Sequence, residues 1–161
     1  MAKTATARKP ATSRKPAAPS KKSEPVPVGQ IEVKGGAVPY LNVDGAVKAA
    51  EFYAKAFGAR EVGRHPVDEK GRTMHIHLYI NGSSVMLCDF YPEHGFPKVA
   101  PQAFNIHMKV DDVEAAWKRA VDAGAEITLP LQDMFWGDRY GQVRDPFGVI
   151  WSMGAPSKKD A

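Results

Sequence analysis

The chain has 161 residues, of which 43% are hydrophobic and 25% charged, enough apolar side chain for one globular domain with a core of ordinary size and too little length for two full domains and a linker. Its formal net charge of +4 belongs to the ends: residues 1–34 carry eight Lys or Arg against two Glu, and 158–160 carry two Lys against one Asp. Subtracting them leaves twelve basic and fifteen acidic residues in 35–157, so the domain is mildly acidic, at 12 − 15 = −3, and its overall charge gives no argument for nucleic-acid binding.

A single cysteine, Cys88, excludes an internal disulfide and fits a reducing compartment. No apolar run approaches the roughly 18 residues needed to span a bilayer, so the expectation is a cytoplasmic protein with no membrane contact. The N-terminus has no apolar signal core, and Pro10, Pro16, Pro19, Pro25 and Pro27 prevent the amphipathic helix of a transit peptide. Residues 1–34 read as a disordered, basic Ala/Lys/Pro-rich tail, because they hold almost no large apolar side chain to offset ordering entropy. Such a tail offers a weak, salt-sensitive contact to a polyanion, or simply extends into solvent.

From Gly36 the pattern turns to apolar alternation, AVPYLNV, which predicts a strand. Asp44 follows as the expected N-cap of an Ala-rich helix running to Phe57, with Gly58 as its C-cap. Arg60–Val67, Arg72–Ile80 and Ser83–Asp89 read as three strands, with a turn at 68–71 and a tight Asn81-Gly82 hairpin. The Pro- and Gly-rich stretch 90–101 is a connector, after which the order restarts: Val43-Asp44 recurs as Val110-Asp111, and Gly58-Ala59 as Gly124-Ala125. The second helix carries Val113, Ala116, Trp117, Ala120 and Val121 on one face, an apolar stripe that predicts core. Near the end, Gly137-Asp138 and Asp145-Pro146-Phe147-Gly148 are turn signals that separate three short strands of an antiparallel meander. The fold class is α+β, with two βαβββ units at 36–90 and 102–155 in a domain of 35–156, and a short tail at 157–161.

The closing segment DMFWGDRYGQVRDPFGVIWSM resembles the vicinal oxygen chelate superfamily (glyoxalase I, bleomycin resistance proteins, extradiol dioxygenases), and within it the PhnB-like branch, where WGDRYG and DPFG recur before a Trp. YLNVDGAVKAAEFYAKAFGA, Met74-His75 and MLCD at 86–89 are similar to the same branch. The resemblance implies that the two units curl their sheets into a half-barrel whose concave face holds the ligand. It also implies four metal-ligand positions, which here fall at Val38, Leu87 (or Asp89 after a two-residue slip), Asn105 and Ser152, a set with at most one good ligand. A second route to a metal would need His75, His77, His107 and Asp89 to converge.

Strand alternation, anchored on those positions, puts Tyr40, Asn42, His75, His77, Tyr79, Leu87, Asp89, Asn105, His107, Ile150 and Ser152 on the cavity face, and Cys88 in the core. Trp136, Arg139 and Tyr140 could close one end, Arg139 gripping a carboxylate or phosphonate; the competing reading keeps Arg139 in an ion pair with Asp138 or Asp145, and Trp136 in the core. The expected ligand-binding set is therefore Tyr40, His75, His77, Asp89, Asn105, His107, Trp136, Arg139, Tyr140 and Ser152, with no catalytic residue assigned and no metal or other cofactor. The first reading of function is a homodimeric, metal-free module that binds a small polar molecule. One alternative is a divalent-metal-dependent lyase or isomerase of the glyoxalase type; another is a bleomycin-type drug-sequestration protein, for which the charge of −3 gives an acidic cleft little support. Whether any reaction is catalysed stays open.

Overall fold

A computed structural model describes residues 30–158. The order of elements is β1 (Tyr40–Val43), α1 (Ala46–Phe57), β2 (Arg60–Arg64), β3 (Ile76–Ile80), β4 (Ser83–Asp89), β5 (Ile106–Lys109), α2 (Val113–Asp122), β6 (Glu126–Asp133), β7 (Asp138–Arg144) and β8 (Ile150–Pro156). Two βαβββ units follow each other, as the internal repeat predicts. The expected strands over 60–67 and 72–80 are shorter, because Asp68 closes an irregular loop by accepting from the backbone of Lys70 and Arg72.

Each unit folds into one four-stranded sheet, in the orders β1-β4-β3-β2 and β5-β8-β7-β6. In both, the first strand pairs in parallel with the last, and the other pairs are antiparallel. Neither sheet closes on itself. The β3–β4 hairpin turns on Asn81 (φ 48°) and Gly82 (φ 81°), the two left-handed residues of the turn whose twist matches that of the strands.

Helix α1 forms because Ala46, Ala49, Ala50, Tyr53, Ala56 and Phe57 recur at helical spacing and are all buried. Gly58, at φ 67°, ends it. Its start departs from expectation: Gly45 is the cap residue and has no side chain to offer, while Asp44 is exposed and paired with Lys98. The capping oxygen comes instead from Asp89 at the end of β4, whose Oδ1 accepts from the backbone N–H groups of Gly45 (2.8 Å) and Ala46 (3.0 Å). Helix α2 is capped locally, Asp112 accepting from the N–H of Ala115. Its apolar stripe packs as predicted, with Val113, Ala116 and Ala120 buried and Trp117 and Val121 at the margin of the core.

The helices also join the units. Trp151 of β8 lies against Phe57 and Tyr53 of α1, with ring centroids 4.5 and 5.1 Å apart, and Phe147 packs on Phe52 and Tyr53. Asp145, 3% exposed, is the polar tie in this layer: it accepts from the Tyr53 hydroxyl, the Trp151 indole and the backbone of Phe147 and Val149. A carboxylate so buried persists because four donors replace its water.

Residues 30–34, assigned to the tail from composition, lie along the first sheet. Lys34 exchanges hydrogen bonds with Ser84, its N–H donating to Oγ and its carbonyl accepting from the Ser84 N–H, and Tyr79 donates its hydroxyl proton to the Glu32 carbonyl. The Lys34 ammonium sits 4.6 Å from the centre of the Tyr79 ring. The expected disorder and polyanion contact of residues 1–29 lie outside the described residues.

Candidate functional site

Each sheet turns one face to the helices and one away. In the first sheet Tyr40 and Asn42 pair with Met86 and Cys88, and His77 pairs with Met86, so these side chains share the outer face. Leu41, Val43, Ile76, Leu87 and Asp89 share the helix-facing side. This corrects the expected parity of β4 by one residue. Leu87 is fully buried core, and Asp89 cannot reach a ligand on the outer face, because Oδ1 caps α1 and Oδ2 accepts from the N–H of Thr73 at 2.8 Å. Cys88, expected in the core, instead lines the outer face and donates to Asn42 Oδ1 at 3.1 Å.

On that face the Tyr40 hydroxyl lies 2.9 Å from His75 Nδ1, and the His75 and His77 rings stand 6.3 Å apart. Burial, and secondarily the Cys88 thiol, push the Tyr40 hydroxyl up to about 12, so it remains a proton donor at neutral pH. Burial also raises the Cys88 thiol, which leaves it a poor nucleophile. Both histidines are held below the ordinary imidazole range, by burial first and, for His75, by His77 and His65 next. His77 is only 1% exposed. Its Nε2 meets the Ser84 hydroxyl at 2.7 Å, and the Glu32–Lys34 segment covers this end of the face through Tyr79 and Ser84. The open part is the Tyr40–Asn42 end, beside a cavity of about 340 Å³ that is also lined by Phe90, Phe96 and Phe104 from the segment between β4 and β5.

The second sheet fulfils the expected grouping more closely. His107 pairs with Ser152 across the parallel β5–β8 ladder, and Tyr140 pairs with Gly154. His107 Nδ1 lies 3.0 Å from Ser152 Oγ, which donates in turn to Asn105 Oδ1 at 3.3 Å. The His107 ring stacks on Tyr140, centroids 5.8 Å apart at 24°, and Trp136 meets Tyr140 edge-on at 5.6 Å. Gly154 makes room for these rings: a Cβ there would stand 3.1 Å from His107 Cε1. Trp136 is 48% exposed and belongs to this face rather than to the core.

Arg139 does not join them. Its partner across the ladder is the buried Ala155, so it leans to the helix side, where it pairs with Glu114 of α2 and Asp133, which raise its pKa further. The ion-pair reading therefore fits, with partners other than Asp138 or Asp145. Sequence reasoning missed Gln142, which donates to the Tyr140 hydroxyl at 2.9 Å, and Ser84, the partner of His77. Only the strand register reveals either.

The residues do not suit a divalent ion. Val38 and Leu87 offer no donor, both Asp89 oxygens are engaged by backbone N–H groups, and the Ser152 hydroxyl is engaged by His107 and Asn105. His107 and the His75/His77 pair lie on different sheets, and no cluster of three or more His, Cys, Asp or Glu groups forms among the described residues.

Two mixed four-stranded βαβββ sheets that stay open, each with a polar and aromatic outer face, define the glyoxalase-type class of folds. The family model described as the Glyoxalase/Bleomycin resistance protein/Dioxygenase superfamily matches residues 33–153, and the chain belongs to that superfamily. The uncharacterized protein Mb0911c of Mycobacterium bovis is 44% identical over 135 residues, covering 80% of this chain and 88% of the relative. Protein PA1353 of Pseudomonas aeruginosa has a similar structure, with a TM-score of 0.63 at 27% identity, covering 74% of this chain and 96% of that one. A PhnB protein of Bacillus cereus shares the fold at a TM-score of 0.60 and 23% identity, over 75% and 99% of the two chains. No helix among the described residues is long and apolar enough to cross a membrane.

Proposed function

We propose that the protein is a PhnB-like cytoplasmic homodimer that binds a small polar molecule on the outer faces of its sheets without a metal ion. The observation that carries this reading is the second face, where His107, Tyr140 and Trp136 form a contiguous aromatic surface backed by Ser152 and Asn105. A few placed polar groups among aromatic side chains are the usual make-up of a small-molecule site. The dimer is supported by the separation of the two faces: both turn away from the helices, and among the described residues no hydrogen bond or ring contact joins His77 and Tyr40 to His107 and Tyr140. Each is a half-site, and a second copy would supply the missing wall while covering Tyr40, Phe96, Phe104 and Trp136, all about half exposed or more.

Thermal shift against divalent metals and small metabolites, with metal analysis of the purified protein, tests this reading. A ligand specific to the native state raises the melting temperature. Stabilisation by a metabolite in chelator is the expected result. One equivalent of tightly bound metal, lost in a His77→Ala/His107→Ala variant, would replace it with the metal-dependent lyase. Light scattering that finds only monomer at micromolar concentration would remove the dimer.

A further inference from the structure

Asn105, Ser152 and His107 form one hydrogen-bonded chain. Ser152 is fully buried, and its hydroxyl has one proton to give. With Asn105 Oδ1 accepting that proton, Ser152 Oγ faces His107 Nδ1 as an acceptor, so Nδ1 carries the imidazole proton. His107 Nε2 then holds a lone pair, and no hydrogen bond among the described residues uses it. A parallel assignment follows for Tyr140: its oxygen accepts from Gln142 Nε2, which leaves the hydroxyl proton available. His107 and Tyr140 stack with centroids 5.8 Å apart and Trp136 meets Tyr140 edge-on, so the rings that carry the acceptor and the donor are neighbours on one face.

We infer that Asn105 and Ser152 are positioning residues that hold His107 in its Nδ1–H form, so that the second face takes a neutral ligand presenting an N–H donor beside a carbonyl acceptor, as in a carboxamide on a planar ring. The N–H meets His107 Nε2, the carbonyl accepts from Tyr140, and the ring lies against Trp136. The ligand class rests on the small-molecule reading above; the tautomer does not, since it is a property of the unliganded protein.

Nitrogen-15 NMR of the unliganded protein in alkaline buffer reads the tautomer directly. The expected spectrum places the His107 proton on Nδ1, keeps it there in Asn105→Asp, which still accepts from Ser152, and moves it to Nε2 in Asn105→Ala, where the Ser152 hydroxyl is left to donate to Nδ1. Asn105 is exposed, so these changes spare the core. An Nε2–H signal in the unsubstituted protein would mean that the Asn105 amide is turned and would overturn the assignment. Titration with benzamide and with N,N-dimethylbenzamide, which lacks the donor, reads the ligand class. Benzamide is expected to shift the Trp136 indole signal with at least about tenfold higher affinity than its dimethyl analogue, an advantage of about 1.4 kcal/mol that Asn105→Ala abolishes and Asn105→Asp retains. Equal binding of the two amides, or binding of neither, would refute the carboxamide class whatever the tautomer.

Discussion

Asp89→Ala separates a structural carboxylate from a ligand-binding one. The substitution removes the acceptor for three backbone N–H groups, those of Gly45, Ala46 and Thr73. Ala46 and Thr73 are fully buried, so water cannot replace the lost partner at either, while Gly45 is partly exposed. A hydrogen bond to a charged acceptor contributes about 1.5–3 kcal/mol, and loss of a helix N-cap costs about 1–2 kcal/mol. Two unsatisfied buried donors and one that rehydrates give an expected loss of about 4 kcal/mol, allowing for relaxation at the start of α1. Asp89→Asn keeps one oxygen and should cost about half as much, the amide turning its nitrogen toward Thr73, where donor would face donor. Urea unfolding reads both, and the melting temperature of the alanine variant should fall by roughly 10–15 °C. A loss below about 1 kcal/mol, accompanied by weaker ligand binding, would refute the capping role and return Asp89 to the cavity.

Gly141→Ala should cost about 1–3 kcal/mol by overpacking, because the new Cβ would lie 2.6 Å from Trp117 Cζ3 and 3.0 Å from the Leu131 backbone; an unchanged urea midpoint would show that β6 and α2 yield freely. Folded-state imidazoles of His75 and His77 are depressed by burial, so between those values and the ordinary histidine value of about 6.5 the unfolded chain binds protons that the native state does not. Stability should therefore fall as pH drops through this window and level off below it, and the His75→Gln/His77→Gln variant should flatten the slope of unfolding free energy against pH; an equal slope in the variant would assign the acid sensitivity elsewhere. Truncation before residue 37 should lower the melting temperature by several degrees relative to truncation before residue 30, since only the first removes Glu32 and Lys34 from Tyr79 and Ser84; equal melting temperatures would show that this segment adds no stability.

The sequence by itself determined the order of elements and the duplication, because those depend on local signals: the apolar stripe of α2, Gly58 at the end of α1, Asn81-Gly82 in a hairpin and Asp145-Pro146-Phe147-Gly148 between the last two strands. Alternation also put Asn105 and His107 on one side of their strand, whereas Ser152 was grouped with them only through the positions that the family resemblance implied, and the β5–β8 pairing brings it opposite His107. The parity of β4 was not legible. Alternation makes a strand with apolar residues at both parities read equally well either way, and only the pairing of Leu41 with Leu87 and of Asn42 with Cys88 decides which set meets the helices. The same long-range pairing brings Asp89 to the start of a helix 43 residues earlier in the chain, displacing the adjacent Asp44 from the capping role. Asp145 likewise looked like an ordinary turn residue; that it binds Tyr53, 92 residues away, is a consequence of how β8 packs on α1. Local chemistry selects turns and periodicities, whereas the side a strand buries, and the donors a buried carboxylate finds, are set by contacts distant in sequence.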